Sequence, residues 1–106
     1  MDKLLQDIGL CRRAGKLCMG TDSVKDALKY KRAAVVIISA QISEKSQKEM
    51  RFLSEKYESK LCVIPHSFEE IGTITRKPIG IMCITDASLG EKFLRDLAAT
   101  DSGGLH

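Results

Sequence analysis

Tryptophan is absent from this chain of 106 residues, and its aromatics are few: Phe52, Phe68, Phe93, Tyr30 and Tyr57. They stand apart, so no stacking platform for single-stranded bases is written into the sequence. Histidine is almost as scarce, with only His66 and the terminal His106. Pro65 separates His66 from Cys62 and breaks any helical face the two would share, and His66 reads as a surface-loop side chain. The four cysteines, Cys11, Cys18, Cys62 and Cys83, contain no C-x-x-C pair. That excludes a zinc framework, and they read as reduced and mostly buried, with no metal site and no cofactor. No G-x-G-x-x-G or Walker sequence is present, and the one adjacent carboxylate pair, Glu69-Glu70, lends Glu70 to a helix cap. The reading is therefore of a protein that is not an enzyme.

Long apolar runs are also missing. The longest, Ala33 to Ile38, is far too short to span a bilayer. The opening Met-Asp-Lys-Leu-Leu-Gln-Asp lacks the apolar core of a signal peptide, so a cytoplasmic protein with no membrane partner is expected. Residues 1–99 read as one domain and 100–106, polar and Gly-rich, as a flexible C-terminal tail.

What is present is patterned. Leu4, Leu5, Ile8 and Cys11 recur at helical spacing, which predicts a helix over 3–13 stopped by Gly15. Leu17-Cys18-Met19 reads as a short strand ended by Gly20. Thr21 or Asp22 then caps a helix with Val24, Ala27 and Leu28 inward. Ala33 to Ala40 contains a β-branched run expected of a strand covered on both faces. A charged helix over 43–57, a strand over 61–64, a short helix to Thr75 opened by the box Ser67–Glu70, and a strand over 79–84 follow. A second box, Ser88–Glu91, is read as opening a last helix with Leu89, Phe93, Leu94 and Leu97 inside. Helices alternating with apolar strands predict an α/β/α sandwich on a mostly parallel or mixed sheet of four strands, with residues 33–64 as a right-handed crossover. Gly80 reads as a close-packing position in its strand.

The charge is uneven. The chain carries +3 overall, yet Cys11 to Arg32 holds seven basic residues (Arg12, Arg13, Lys16, Lys25, Lys29, Lys31, Arg32) against Asp22 and Asp26, a local +5. A polyanion is drawn to one part of such a surface. With Gly20 allowing close backbone approach and a helix N-terminus suited to a phosphate, a structured RNA is the expected partner.

The run Leu10-Cys11-Arg12-Arg13-Ala14-Gly15-Lys16-Leu17, then Gly20, Ala27-Leu28-Lys29, Ala33 to Ile38, Phe68 to Gly72 and Ile84-Thr85-Asp86 resembles the bacterial YlxQ-like branch of the L7Ae/L30e ribosomal protein family. The resemblance covers about residues 3–98. It implies a four-stranded mixed sheet between helices and a non-catalytic domain that binds kink-turns or similarly structured RNA, ribosomal RNA included, in association with the ribosome. It places RNA contacts at Gly20, Thr21, Asp22 and Ser23, at Ala40 to Ser43 with Gln41 among them, and at Asp86, Ala87, Ser88 and Leu89. The basic residues Arg12, Arg13, Lys16, Lys25 and Arg32 are expected to take part in RNA binding, and their placement discriminates the readings: convergence beside Gly20 and the Asp86 loop favours RNA, and scatter favours a scaffold. Better-known members carry Asn, Glu and Lys where this chain has Asp22, Ser23 and Asp26. The alternative is a protein–protein interaction or scaffold module on the same fold with weakened RNA binding. A monomer is expected in either case.

Overall fold

A computed structural model describes residues 2–104, with side chains from Asp2 to Thr100. Five helices and four strands alternate: α1 (Lys3–Arg13), β1 (Leu17–Met19), α2 (Thr21–Lys29), β2 (Val35–Ser39), α3 (Glu44–Lys56), β3 (Lys60–Ile64), α4 (Phe68–Thr75), β4 (Ile81–Ile84) and α5 (Ala87–Gly104). The strands form one sheet in the order β1-β4-β2-β3. β2 and β3 run parallel across α3, whereas β4 is antiparallel to both β1 and β2. The sheet is thus mixed, with one parallel pair.

Side-chain alternation along β2 and β4 divides the interior in two. Val35, Ile37, Met82 and Ile84 pack with α1, α4 and α5, where Leu4, Ile8, Ile71 and Phe93 are fully buried. Val36, Ile38, Ile81 and Cys83 pack with Val24, Ala27 and Leu28 of α2 and Met50 of α3. These are the three layers of an α/β/α sandwich. Every residue of β2 and β4 is buried, as strands covered on both faces require.

The helix ends explain several boundaries. Asp2 caps α1, its carboxylate accepting from the amides of Leu4 and Leu5. Gly15, at φ +73°, closes that helix, with the Lys16 amide reaching back to the Cys11 carbonyl. The box at Ser67 is present in both directions, hydroxyl to Glu70 amide and Glu70 carboxylate to Ser67 amide. Two expected caps are corrected. Neither Thr21 nor Asp22 caps α2: Gly20 occupies the N-cap at φ +94°, and no side chain caps the helix. The second expected box also differs, because Asp86 lies closer to the end of β4 than Ser88. The Asp86 carboxylate accepts from the Leu89 amide at 2.9 Å, and Ser88 is exposed inside the first turn. α5 continues to Gly104, through part of the segment read as a tail; Leu105 and His106 lie outside the described residues.

His66 is not a surface side chain. It is 7% exposed, and its Nε2 lies 3.0 Å from an Asp2 carboxylate oxygen. One aspartate therefore caps α1 and ties it to the segment after β3. Burial works to raise the Asp2 carboxyl, but His66 and the two amides outweigh it and hold the group below the ordinary range. A depressed carboxyl contributes stability that is present at neutral pH and lost as pH falls through its folded value. Asp2→Ala is expected to cost about 1 kcal/mol at pH 7, the usual effect of a lost N-cap. Thermal denaturation of both chains across a pH series checks this. The gap in midpoint should hold from neutral pH into mild acid and close only below about pH 4.

The cysteines are free thiols, and all but the half-buried Cys18 are buried. Burial pushes Cys11 up to about 11 and Cys83 up to about 12, so both are protonated packing groups.

Candidate nucleic-acid interface

Strand direction decides which loops meet. β1 and β2 finish where β4 starts, and the Gly20 amide donates to the Ile81 carbonyl at 2.9 Å there. This is the glycine end of the sheet. β1 and β2 begin where β4 finishes, and the Thr85 amide donates to the Lys16 carbonyl, also at 2.9 Å. This is the lysine end. Strands of this length separate the two ends by about 15 Å.

At the glycine end, Gly20 turns the chain from β1 into α2. The first turn of α2 therefore presents its amides without a capping side chain. Beside it lies an open cleft of about 410 Å³ bounded by Gly20 and Thr21, by Ile42, Ser43 and Ser46 at the start of α3, and by Phe68 and Pro78 to Ile81. Gly80 holds the parts together. A Cβ there would lie 2.5 Å from Phe68 Cε1 and 2.7 Å from Ile42 Cγ2. Gln41 is exposed at this end, in a loop whose turn is fixed by the Ser39 hydroxyl, which accepts from the Gln41 amide and donates to the His66 carbonyl. Phe68 and the loop Arg76 to Ile79 were not among the residues expected to contact RNA, whereas Ile42 falls within the expected stretch Ala40 to Ser43. The Pro78-Ile79-Gly80 signal, an interrupted approach to a strand, is where they could have been found.

Asp22 and Ser23 are exposed on the first turn of α2. Lys25 lies further along the helix, its Nζ 2.9 Å from Glu49 of α3 in a partly exposed pair that raises the lysine pKa.

The other expected site residues sit at the lysine end. Arg12 and Arg13 form the last turn of α1, and Lys16 follows. Lys31 and Arg32 follow α2, while Thr85 to Ser88 lead into α5. Lys16, Arg32 and Ala87 line a cleft of about 630 Å³. The expected residues thus form two groups, not one patch: Gly20, Thr21, Asp22, Ser23 and Gln41 at one end, and Arg12, Arg13, Lys16, Arg32, Asp86, Ala87 and Ser88 at the other. Among the described residues no cluster of three or more His, Cys, Asp or Glu is placed to hold a metal ion, and no helix is long and apolar enough to cross a membrane.

A five-helix sandwich on the sheet order β1-β4-β2-β3, with an uncapped helix start beside an apolar cleft, defines a recognisable class of small α/β domain. The chain belongs to the ribosomal protein L7Ae/L30e/S12e/Gadd45 family, whose model matches residues 2–93. Among solved structures, it is similar to a protein of unknown function from Bacillus halodurans, with a TM-score of 0.86 at 21% identity over 92% of this chain and 99% of that one. It is also similar to the Giardia lamblia 15.5kD RNA binding protein, with a TM-score of 0.74 at 15% identity over 93% of this chain and 85% of that one. No curated protein matches it in sequence.

Proposed function

We propose that this chain is a non-catalytic RNA-binding protein of ribosomal type, of the bacterial YlxQ-like branch. It recognises kink-turn or similarly structured RNA at the glycine end, in association with the ribosome. The observation that carries the reading is the uncapped start of α2 against the cleft floored by Phe68 and Ile42. Free amides and the helix dipole suit a backbone phosphate, and an apolar recess beside them suits a base turned out of its stack. Membership of the family and the likeness of fold to an RNA-binding protein support it.

A gel-shift titration tests this reading. A kink-turn stem-loop is expected to bind more tightly than a plain duplex of equal length at moderate salt; equal affinity for the two would remove the kink-turn claim. In the same titration, Asp26→Lys is expected to tighten binding several-fold by replacing an exposed negative charge on α2 with a positive one. Unchanged or weaker binding would count against docking along that helix.

One observation favours the scaffold reading instead. Lys16, Lys31 and Arg32 lie at the far end from Gly20, and Lys25 is engaged with Glu49. Loss of all RNA binding at physiological salt would select it.

A further inference from the structure

The lysine end has its own chemistry. Its cleft is lined by Lys16, Lys31 and Arg32, with Thr85 and Cys18, and no carboxylate lines it. Among the described residues none of these three cations is engaged in an ion pair. The nearest acid in the chain to this wall, Asp86, has a carboxylate oxygen occupied by the Leu89 amide. Tyr30, directly before Lys31, is 63% exposed, and the Lys29 ammonium lies over its ring at 5.7 Å from the centroid.

The local backbone is built to present these residues. α2 ends with the Lys31 amide on the Leu28 carbonyl and the Arg32 amide on the Ala27 carbonyl. That pattern places residue 31 in the left-handed region, where glycine is the preferred occupant. Here a lysine takes it, at φ +57°. α1 closes the same way on Gly15. A side chain thus stands at a position where glycine is the easier occupant, as it also does at Glu58 after α3 and Arg76 after α4, and here it lines the cationic cleft.

We infer that the lysine end is a second RNA site, distinct from the glycine end, which takes a single-stranded segment. Backbone phosphates lie against Lys16, Lys31 and Arg32, and a base stacks on Tyr30. Tyr30 is one exposed aromatic beside the cleft and not a platform for successive bases, so the cations supply most of the affinity and the ring adds a single stacked base without sequence preference. The inference does not rest on the kink-turn reading, because the two surfaces lie at opposite ends of the sheet.

Fluorescence anisotropy with a labelled oligouridylate, which has no secondary structure, tests it on the intact chain. The wild type is expected to bind with marked salt dependence. Arg32→Ala should reduce the slope of log affinity against log salt by about one. Tyr30→Ala should weaken binding roughly 5- to 100-fold, with Tyr30→Phe restoring it. Lys31→Gly is the decisive variant. It should melt at a higher temperature than wild type, because glycine suits the turn, and yet bind the oligonucleotide less tightly, so lost binding cannot be ascribed to lost folding. Kink-turn binding, measured in parallel, should be little changed by any of these variants. Absence of oligouridylate binding by the wild type, or wild-type affinity in Lys31→Gly and Tyr30→Ala, would overturn the inference. So would a parallel loss of kink-turn and oligouridylate binding in those variants, which would merge the two surfaces into one.

Discussion

Phe93→Ala is expected to destabilise the protein by about 3–5 kcal/mol, the usual cost of removing a large aromatic from a packed interior. Phe93 is the fully buried side chain of α5, whereas Leu89, Leu94 and Leu97 are only partly buried. It belongs to the buried cluster to which α1, α4, β2 and β4 also contribute, so its loss leaves a cavity in that half of the interior. A domain of this size has roughly 5–15 kcal/mol of stability in total, so about a fifth or more is at stake. Urea titration followed by circular dichroism checks the expectation. A midpoint near the wild-type value would mean that α5 is held by its outer leucines and by the contact from Lys92 to Asp7 of α1, at 2.7 Å, instead.

Gly80→Val should also be severe, for the opposite reason. The site has no room, since the added Cβ alone would fall inside the contact distance of the Phe68 ring and Ile42. Overpacking of this kind costs about 1–3 kcal/mol or more. Its second consequence is functional. Phe68 and Ile42 line the glycine-end cleft, so displacing them reshapes the surface proposed to take the unstacked base. At temperatures where the variant remains folded, kink-turn affinity should fall while oligouridylate binding persists. Combining a β-carbon at position 80 with Phe68→Ala should recover part of the stability, because the two changes act on one space. Strict additivity, measured by thermal melting of the single and double variants, would show that the clash is relieved elsewhere.

Much of the fold was legible in the residues, and the reasons are local. Val35 to Ser39 announced a strand covered on both faces because β-branched side chains stood on both parities. Ser67 is legible as a cap because Glu70 completes the reciprocal bond. The failures have equally local causes. Gly20 continues the pairing of β1 with β4 and is already turned when α2 begins, which leaves Thr21 and Asp22 inside the helix. Asp86 competes with Ser88 and wins because the strand has just ended. The burial of His66 was not legible at all. Its partner, Asp2, lies 64 residues away, and only the packing of α1 against the segment after β3 brings them together. The candidate site suffered from the same limit. Sequence adjacency grouped Lys16, Gly20 and Arg32, but a three-residue strand and a nine-residue helix each carry the chain to the other end of the sheet.

The strand order has a bearing on self-association. Its outermost members are β1, three residues long, and β3, which starts at the exposed Lys60. A three-residue margin on one side and, on the other, a five-residue strand that opens on a charge discourage pairing with a neighbouring chain. Growth by adding strand to strand is therefore blunted at both borders. Contacts with other molecules are left to the loops and helix ends, which frees the sheet to act as a rigid spacer between them.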